Sequence, residues 1–171
     1  MNSAKAQTTN KTPAPLVSIY VVNHNYGKYI NKAIRSVLNQ SLKEFELIII
    51  DDGSTDDSLK TIKKYKNHKK IKIIYQKNKG LTVSNNLALR LSRGKYIIRL
   101  DADDWLEPNA LQIMSDYLEK NPKIGLVFPD YFEVDEKENI LNLVRRHNFK
   151  KVKLLDKPAH GACTMVRKEC L

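Results

Sequence analysis

No stretch of this chain approaches the roughly 20 consecutive apolar residues that a membrane-spanning helix requires. The N-terminus also lacks the apolar segment of a secretory signal, so the expected location is the cytoplasm. Cysteine is scarce. Cys163 and Cys170 are too few for a disulfide framework and fit no zinc spacing, so both read as free thiols, at least one of them buried. Glycine-rich phosphate loops are missing as well. No G-x-G-x-x-G follows the first apolar run, and no G-x-x-x-x-G-K followed by Ser or Thr occurs anywhere. A dinucleotide oxidoreductase and a P-loop ATPase are therefore not expected.

Acidic residues are outnumbered, 19 against 30 Lys and Arg, for a net charge of +11. The excess is uneven. Lys60 to Lys79 holds nine lysines and no acid, while Arg145 to Lys168 holds eight basic residues and only Asp156. Such faces suit nucleic acid, anionic lipid headgroups or phosphorylated ligands. Nucleic acid is not expected, because the aromatics are not interleaved with the basic runs and no binding motif occurs. The first cluster reads as a solvated helix face. The second is either solvated too or lies on an acceptor side, where it would favour a phosphate-bearing acceptor or peripheral association with the inner face of a membrane.

What is present is one domain's worth of alternating elements: 171 residues, 42% hydrophobic. Met1 to Pro15 is polar and reads as a disordered tail, leaving residues 16–171 as the domain. Strands are expected at Leu16 to Val22, Phe45 to Ile50, Ile71 to Tyr75, Tyr96 to Leu100 and Ile124 to Phe128. Between them lie helices. The first carries Ile30, Ala33, Ile34, Val37 and Leu38 on one stripe; the second, about Asp56 to Tyr65, is capped by Ser54 or Thr55 and buries Leu59 and Ile62. The third has Val83, Leu87 and Leu91, and the fourth, opened by Pro108, faces inward with Ala110, Leu111, Met114, Tyr117 and Leu118. Tyr131 to Val144 reads as a hairpin around Asp135 to Asn139. This alternation predicts an α/β fold with a mostly parallel sheet and helices on both faces. Ligands in such folds sit at the carboxyl ends of strands, here Asn23 to Gly27, Asp51 to Ser54 and Asp101 to Asp104.

The chemistry-bearing run is Lys95 to Trp105. Its strand ends in Asp101, Asp103 and Asp104, carboxylates that repel one another and are costly to bury unless a cation joins them. Hard oxygen ligands suit Mg²⁺ or Mn²⁺, which takes one or two carboxylates plus water and phosphate oxygens. A solvated loop capping the next helix is the plainer reading of the same residues. Asp51 and Asp52 are likewise open to two readings, an Asp-Gly-Ser turn or a carboxylate accepting from a base or ribose. Both acidic edges together suit a nucleotide diphosphate with its metal.

The segments Val17-Ser18-Ile19 to Asn25, Ser36-Val37-Leu38-Asn39-Gln40, Phe45 to Asp56 and Gly94-Lys95-Tyr96-Ile97 to Asp104 resemble, in order, those of family 2 glycosyltransferases. The likeness covers about Pro15 to Asp130, with a weaker echo at His160 to Lys168. It implies a GT-A, Rossmann-like fold, a nucleotide-sugar donor (a UDP-sugar foremost), Mg²⁺ or Mn²⁺, and transfer with inversion to a glycan or lipid-linked acceptor. It also implies a binding set of Val22, Asn23, His24, Asn25, Asp51, Asp52, Asn86, Arg99, Asp101, Ala102 and Asp103. In that set Asp52 is the base reader, and Asp101 with Asp103 is the D-x-D pair, Asp103 foremost as metal ligand. Two departures stand out. His24 replaces a Tyr, and Ser84-Asn85-Asn86 replaces Ala-Arg-Asn, so Arg99 either supplies the missing charge or pairs with Asp101 or Asp103.

Inverting transfer needs a carboxylate base to take the acceptor hydroxyl's proton. The resemblance puts it beyond Leu171, so the chain reads as truncated before its acceptor motif; Glu133, Asp135 and Asp156 are available, with nothing to mark one. Two other functions fit less of the pattern: a nucleotide-sugar-binding module without turnover, and nucleotidyl transfer onto a sugar phosphate, which usually wants a Gly-rich basic loop where Asn23 to Lys28 stands.

Overall fold

The computed structural model describes residues 13–145 and 162–171. The expected tail over residues 1–12, and residues 146–161 of the second basic cluster, with Asp156, lie outside the described residues. In chain order the elements are β1 Val17–Asn23, α1 Ile30–Leu38, β2 Phe45–Asp52, α2 Ser58–Lys63, β3 Ile71–Gln76, α3 Leu81–Leu91, β4 Tyr96–Arg99 and α4 Ala110–Lys120. Then follow β5 Leu126–Val127, β6 Tyr131–Val134, β7 Ile140–Val144 and β8 Met165–Arg167.

Continuous apolar runs such as Phe45 to Ile50 are buried along their whole length, as expected for parallel strands covered on both faces. The main sheet runs β3-β2-β1-β4-β8-β5. Its first four strands are parallel, and β8 is antiparallel to both β4 and β5. Alternating side chains build two layers. Val17, Ile19, Val21, Leu47, Ile49 and Ile98 pack against α1, α2 and α4, while Tyr20, Ile48, Ile50 and Ile97 pack against Ala88 of α3. Strand order reverses between β1 and β4, which opens a crevice at their carboxyl ends.

Several expectations are corrected. Residue Val83 is exposed on α3, whose inward face is Ser84 and Ala88 with Leu87 and Leu91 alongside, because small residues let the helix approach the sheet. Tyr117 is half exposed, and Ser115 takes the inward position on α4. Neither Ser54 nor Thr55 caps α2, which starts only at Ser58; Ser54 turns back to Asp51 instead. The helix after the acidic loop starts at Ala110 and is capped from outside, its Leu111 N–H donating to Gln40 Oε1 at 3.0 Å. Neither cysteine is in a disulfide, but Cys163 is only half buried and Cys170 is exposed.

The strand β8 was not expected. It is held by Arg167, 5% exposed, whose guanidinium donates to the carbonyls of Ile124 (2.8 Å), Leu118 and Asn121 (3.3 Å) and to the Tyr96 hydroxyl (3.1 Å). A cation meeting the last carbonyls of α4 is stabilised by the helix dipole as well.

Candidate functional site

Three loops meet at the crevice, and two of them are laced together. Asn23 Nδ2 donates to Asp51 Oδ1 (2.9 Å) and to Ser54 Oγ (3.0 Å), while its own Oδ1 is buried without a partner. The Asn25 N–H donates to Ser54 Oγ (3.0 Å), and Asn25 Oδ1 accepts the Thr55 N–H (2.7 Å). The Gly27 N–H donates to Asp56 Oδ2 at 2.8 Å. With φ at 62°, Asn25 sits in the left-handed region that asparagine tolerates best among residues with a side chain. Asp51 also accepts the Ser54 hydroxyl (2.6 Å), so its carboxylate is taken up by the turn.

Asp52 points the other way, as the next residue of a strand must. Its Oδ1 accepts Gln76 Nε2 (2.6 Å) and the Lys79 N–H (3.0 Å), and its Oδ2 accepts the Gly80 N–H (2.9 Å). Burial pushes this carboxyl upward, but hydrogen bonds from Gln76, Lys79, Gly80 and Ser84 outweigh it and hold the group below the ordinary aspartate value. Gly53 makes the approach possible. Its φ is 77°, and a Cβ there would lie 2.6 Å from the Asn78 nitrogen. His24 completes the arrangement: Nδ1 lies 2.9 Å from the Asp52 carbonyl, so it carries the proton, and Nε2 accepts from Asn78 Nδ2 at 3.3 Å. Because β2 lies between β1 and β3, this contact between their loops spans the end of β2.

The third loop continues β4. Arg99 pairs with Asp101, Nε to Oδ1 at 3.0 Å and a terminal nitrogen to Oδ2 at 3.3 Å. The Nε–H is not aligned on that oxygen and makes no true hydrogen bond, although it is buried. Arg99 lies opposite Tyr20 in the β1–β4 ladder, and the Tyr20 hydroxyl is pushed up by burial, lowered by Arg99 and raised again by Asp101. Ala102 is buried, and Asp103 and Asp104 are exposed. The loop is anchored from α1 and the residues just after it: Ser36 Oγ accepts the Leu106 N–H (3.1 Å), and Gln40 Nε2 donates to the Glu107 carbonyl (2.7 Å).

The structure thus gathers Asn23, His24, Asn25, Asp51 and Asp52 with Arg99, Asp101, Ala102 and Asp103 along one edge. Val22 faces the α3 layer just below it, and Asn86 stands exposed on α3. For Gln76, Lys79 and Gly80, which hold Asp52, the signal in the sequence is a polar residue ending the apolar β3 run two residues before the Asn78-Lys79-Gly80 turn into α3. Ser36 on α1 and Gln40 just past its end anchor the acidic loop, a role that the Ser36-Val37-Leu38-Asn39-Gln40 segment does not display in the sequence. Among the described residues no group of three or more His, Cys, Asp or Glu side chains is placed to enclose a metal ion. The donor set at Asp101 and Asp103 fits a cation that takes one or two carboxylates and completes its shell from a bound diphosphate. A cleft of about 810 Å³ lies elsewhere, at the opposite edge, lined by Leu16, Glu44, Gly94 and Lys168.

A mostly parallel sheet with a β1–β4 switch point defines a Rossmann-like α/β class. The family model for Glycosyl transferase family 2 matches residues 18–171, and the chain belongs to that family. It is 40% identical over 139 residues to chondroitin synthase of Escherichia coli, covering 81% of this chain and 20% of that protein. It is 37% identical over 115 residues to hyaluronan synthase of Pasteurella multocida, covering 67% of this chain and 12% of that protein. The chain therefore spans a small part of these relatives. Among solved structures it superposes on S. aureus TarS with UDP-GlcNAc at a TM-score of 0.72 and 23% identity, covering 89% of this chain and 45% of that one. It also superposes on mannosyltransferase PcManGT of Pyrobaculum calidifontis, in complex with GDP-Man and Mn²⁺, at 0.61 and 22%, covering 68% and 36%. The fold is GT-A. No helix among the described residues is long and apolar enough to cross a membrane.

Proposed function

We propose that this chain binds a nucleotide-diphosphate sugar, a UDP-sugar foremost, at the carboxyl ends of β1, β2 and β4, as part of an inverting glycosyltransferase acting on a glycan or lipid-linked acceptor. The observation that carries the reading is the placement of Asp52 and the D-x-D loop on either side of β1, one anchored for a base and one open to a diphosphate. Asp52 is buried and holds hydrogen bonds from Gln76, Lys79, Gly80 and Ser84, so a donor N–H of the base would reach it by sharing or replacing one of these contacts. A base entering there displaces the His24–Asn78 contact that spans the end of β2. Asp103, exposed at the loop tip, would be the first ligand of the divalent ion, with Asp101, paired with Arg99 in the donor-free chain, as the second. An ion bound there would supply a Lewis acid that neutralises charge on the departing diphosphate.

In the transfer an acceptor hydroxyl attacks the anomeric carbon as the carbon–oxygen bond to the diphosphate breaks, and a base takes the hydroxyl proton. Asp135 is not that base, since it accepts from the Lys137 and Asn139 N–H groups (2.8 and 2.9 Å) and from Asn139 Nδ2 (2.9 Å) to close the hairpin turn. UDP-linked neighbours and glycan-synthase relatives support the donor class.

The test is the melting temperature of the chain with a panel of nucleoside diphosphates and their sugars, with and without Mn²⁺. A uridine ligand should raise it most, more so with Mn²⁺, and Asp103→Ala should abolish the Mn²⁺ increment while leaving the ligand-free melting point within about 1 °C, as for an exposed side chain away from any core. No shift with any nucleotide would overturn the reading.

A further inference from the structure

We propose that Arg99 occupies the place of a cation on Asp101 in the donor-free protein, so that the divalent ion is not held in advance but arrives with the donor's diphosphate. The proposal rests on the reading of the D-x-D loop as the cation site and adds a regulating residue to it. Three observations carry it. The guanidinium contacts both carboxylate oxygens of Asp101, at 3.0 and 3.3 Å. Its position is fixed by the fold, because Arg99 is the last residue of β4, its carbonyl accepts the Cys163 N–H at 2.7 Å, and its side chain is only 20% exposed. A carboxylate paired in this way cannot give the same lone pairs to a metal, and a fixed positive charge beside the site repels a dication as well.

Asp103 is then the one member of the D-x-D pair available to the ion in the free chain. A single exposed carboxylate is a poor cage for Mg²⁺ or Mn²⁺, which depends on further oxygens from phosphate. The imperfect alignment of the Arg99 Nε–H on Asp101 Oδ1 fits a pair that gives way when a diphosphate offers the guanidinium a better partner. Arg99 is in this account a positioning residue that couples metal entry to donor entry.

The test is direct titration of the chain with Mn²⁺ alone, read as loss of the free-ion paramagnetic resonance signal. Arg99→Leu, which suits the half-buried strand position, should bind Mn²⁺ at least about threefold more tightly than the wild type, the effect of removing one modest ion pair. Asp101→Asn added to Arg99→Leu should return the affinity to the wild-type value, showing that the gain runs through Asp101. Arg99→Lys, which keeps the charge but loses the planar fork, should fall between and serves if the leucine lowers the melting temperature. Equal or weaker Mn²⁺ binding in both Arg99 variants would overturn the proposal, even if nucleotides bind as proposed above. A gain in Mn²⁺ affinity alongside a failure of every nucleotide to bind would uphold the Arg99 hold on Asp101 and overturn both its coupling to donor entry and the donor reading.

Discussion

Asp52 Oδ2 accepts the Gly80 N–H at 2.9 Å, so the carboxylate that ends β2 also fixes the start of α3. Recognition and architecture share one side chain. Asp52→Asn puts an N–H₂ at a buried position where acceptor oxygens face the part-buried Gln76, Lys79 and Gly80 donors, and at least one of them loses its partner. Stability should fall by about 1–3 kcal/mol, the usual penalty of an unsatisfied buried polar group. Hydrogen exchange at Lys79 and Gly80 should quicken, and uridine nucleotide affinity should drop with it. Unchanged exchange there would mean that the carboxylate does not hold the loop.

Acid should act through the same group. The Asp52 carboxyl lies below its ordinary value of 3.8 and the Glu119 carboxyl below 4.5, the latter through hydrogen bonds from Lys95 and Tyr96. A depressed carboxyl stabilises the fold above the unfolded pKa and loses that contribution as pH falls through the native value. The stability advantage of wild type over Asp52→Asn should therefore be constant from neutrality down to about pH 4.5 and shrink below about pH 4. Urea titrations at stepped pH measure it.

Arg167 is the buried cation that ties β8 to α4. Arg167→Met should take the guanidinium donors from the carbonyls of Ile124, Leu118 and Asn121, although Leu118 keeps the Asn121 N–H and Tyr96 keeps Glu119, lowering stability by about 3 kcal/mol. Arg167→Lys should recover only part, since one ammonium cannot reach all of these acceptors. Urea denaturation of both variants checks the order.

Lys32 joins three elements: its Nζ lies 3.0 Å from the centre of the Trp105 ring and 2.8 Å from Glu138 Oε1 at the tip of the β6–β7 hairpin. Both partners of the ion pair are well exposed, 38% and 61%, so the pair is worth little to global stability. A two-stranded hairpin is nonetheless marginal without support. Lys32→Met should change unfolding free energy by less than about 1 kcal/mol while speeding limited proteolysis within residues 131–144. An unchanged cleavage rate would show that the hairpin is held by other contacts.

The apolar runs and their spacing were enough, by themselves, to set the parallel core, because burying Val17 to Val21 and Phe45 to Ile50 on both faces admits few other arrangements. The acidic strand ends were legible for the same reason: carboxylates beside a buried run must find water, donors or a cation. Which of these each one finds was decided only by tertiary structure. Asp51 turned to Asn23 and Asp52 to Gly80, each 28 residues away, contacts set by strand order and twist, whereas Ser54 for Asp51 and Arg99 for Asp101 are near neighbours in the chain. Strand β8 escaped the sequence for a related reason. Three residues carry almost no periodicity, and its place comes from Arg167 reaching the end of α4, 49 residues away.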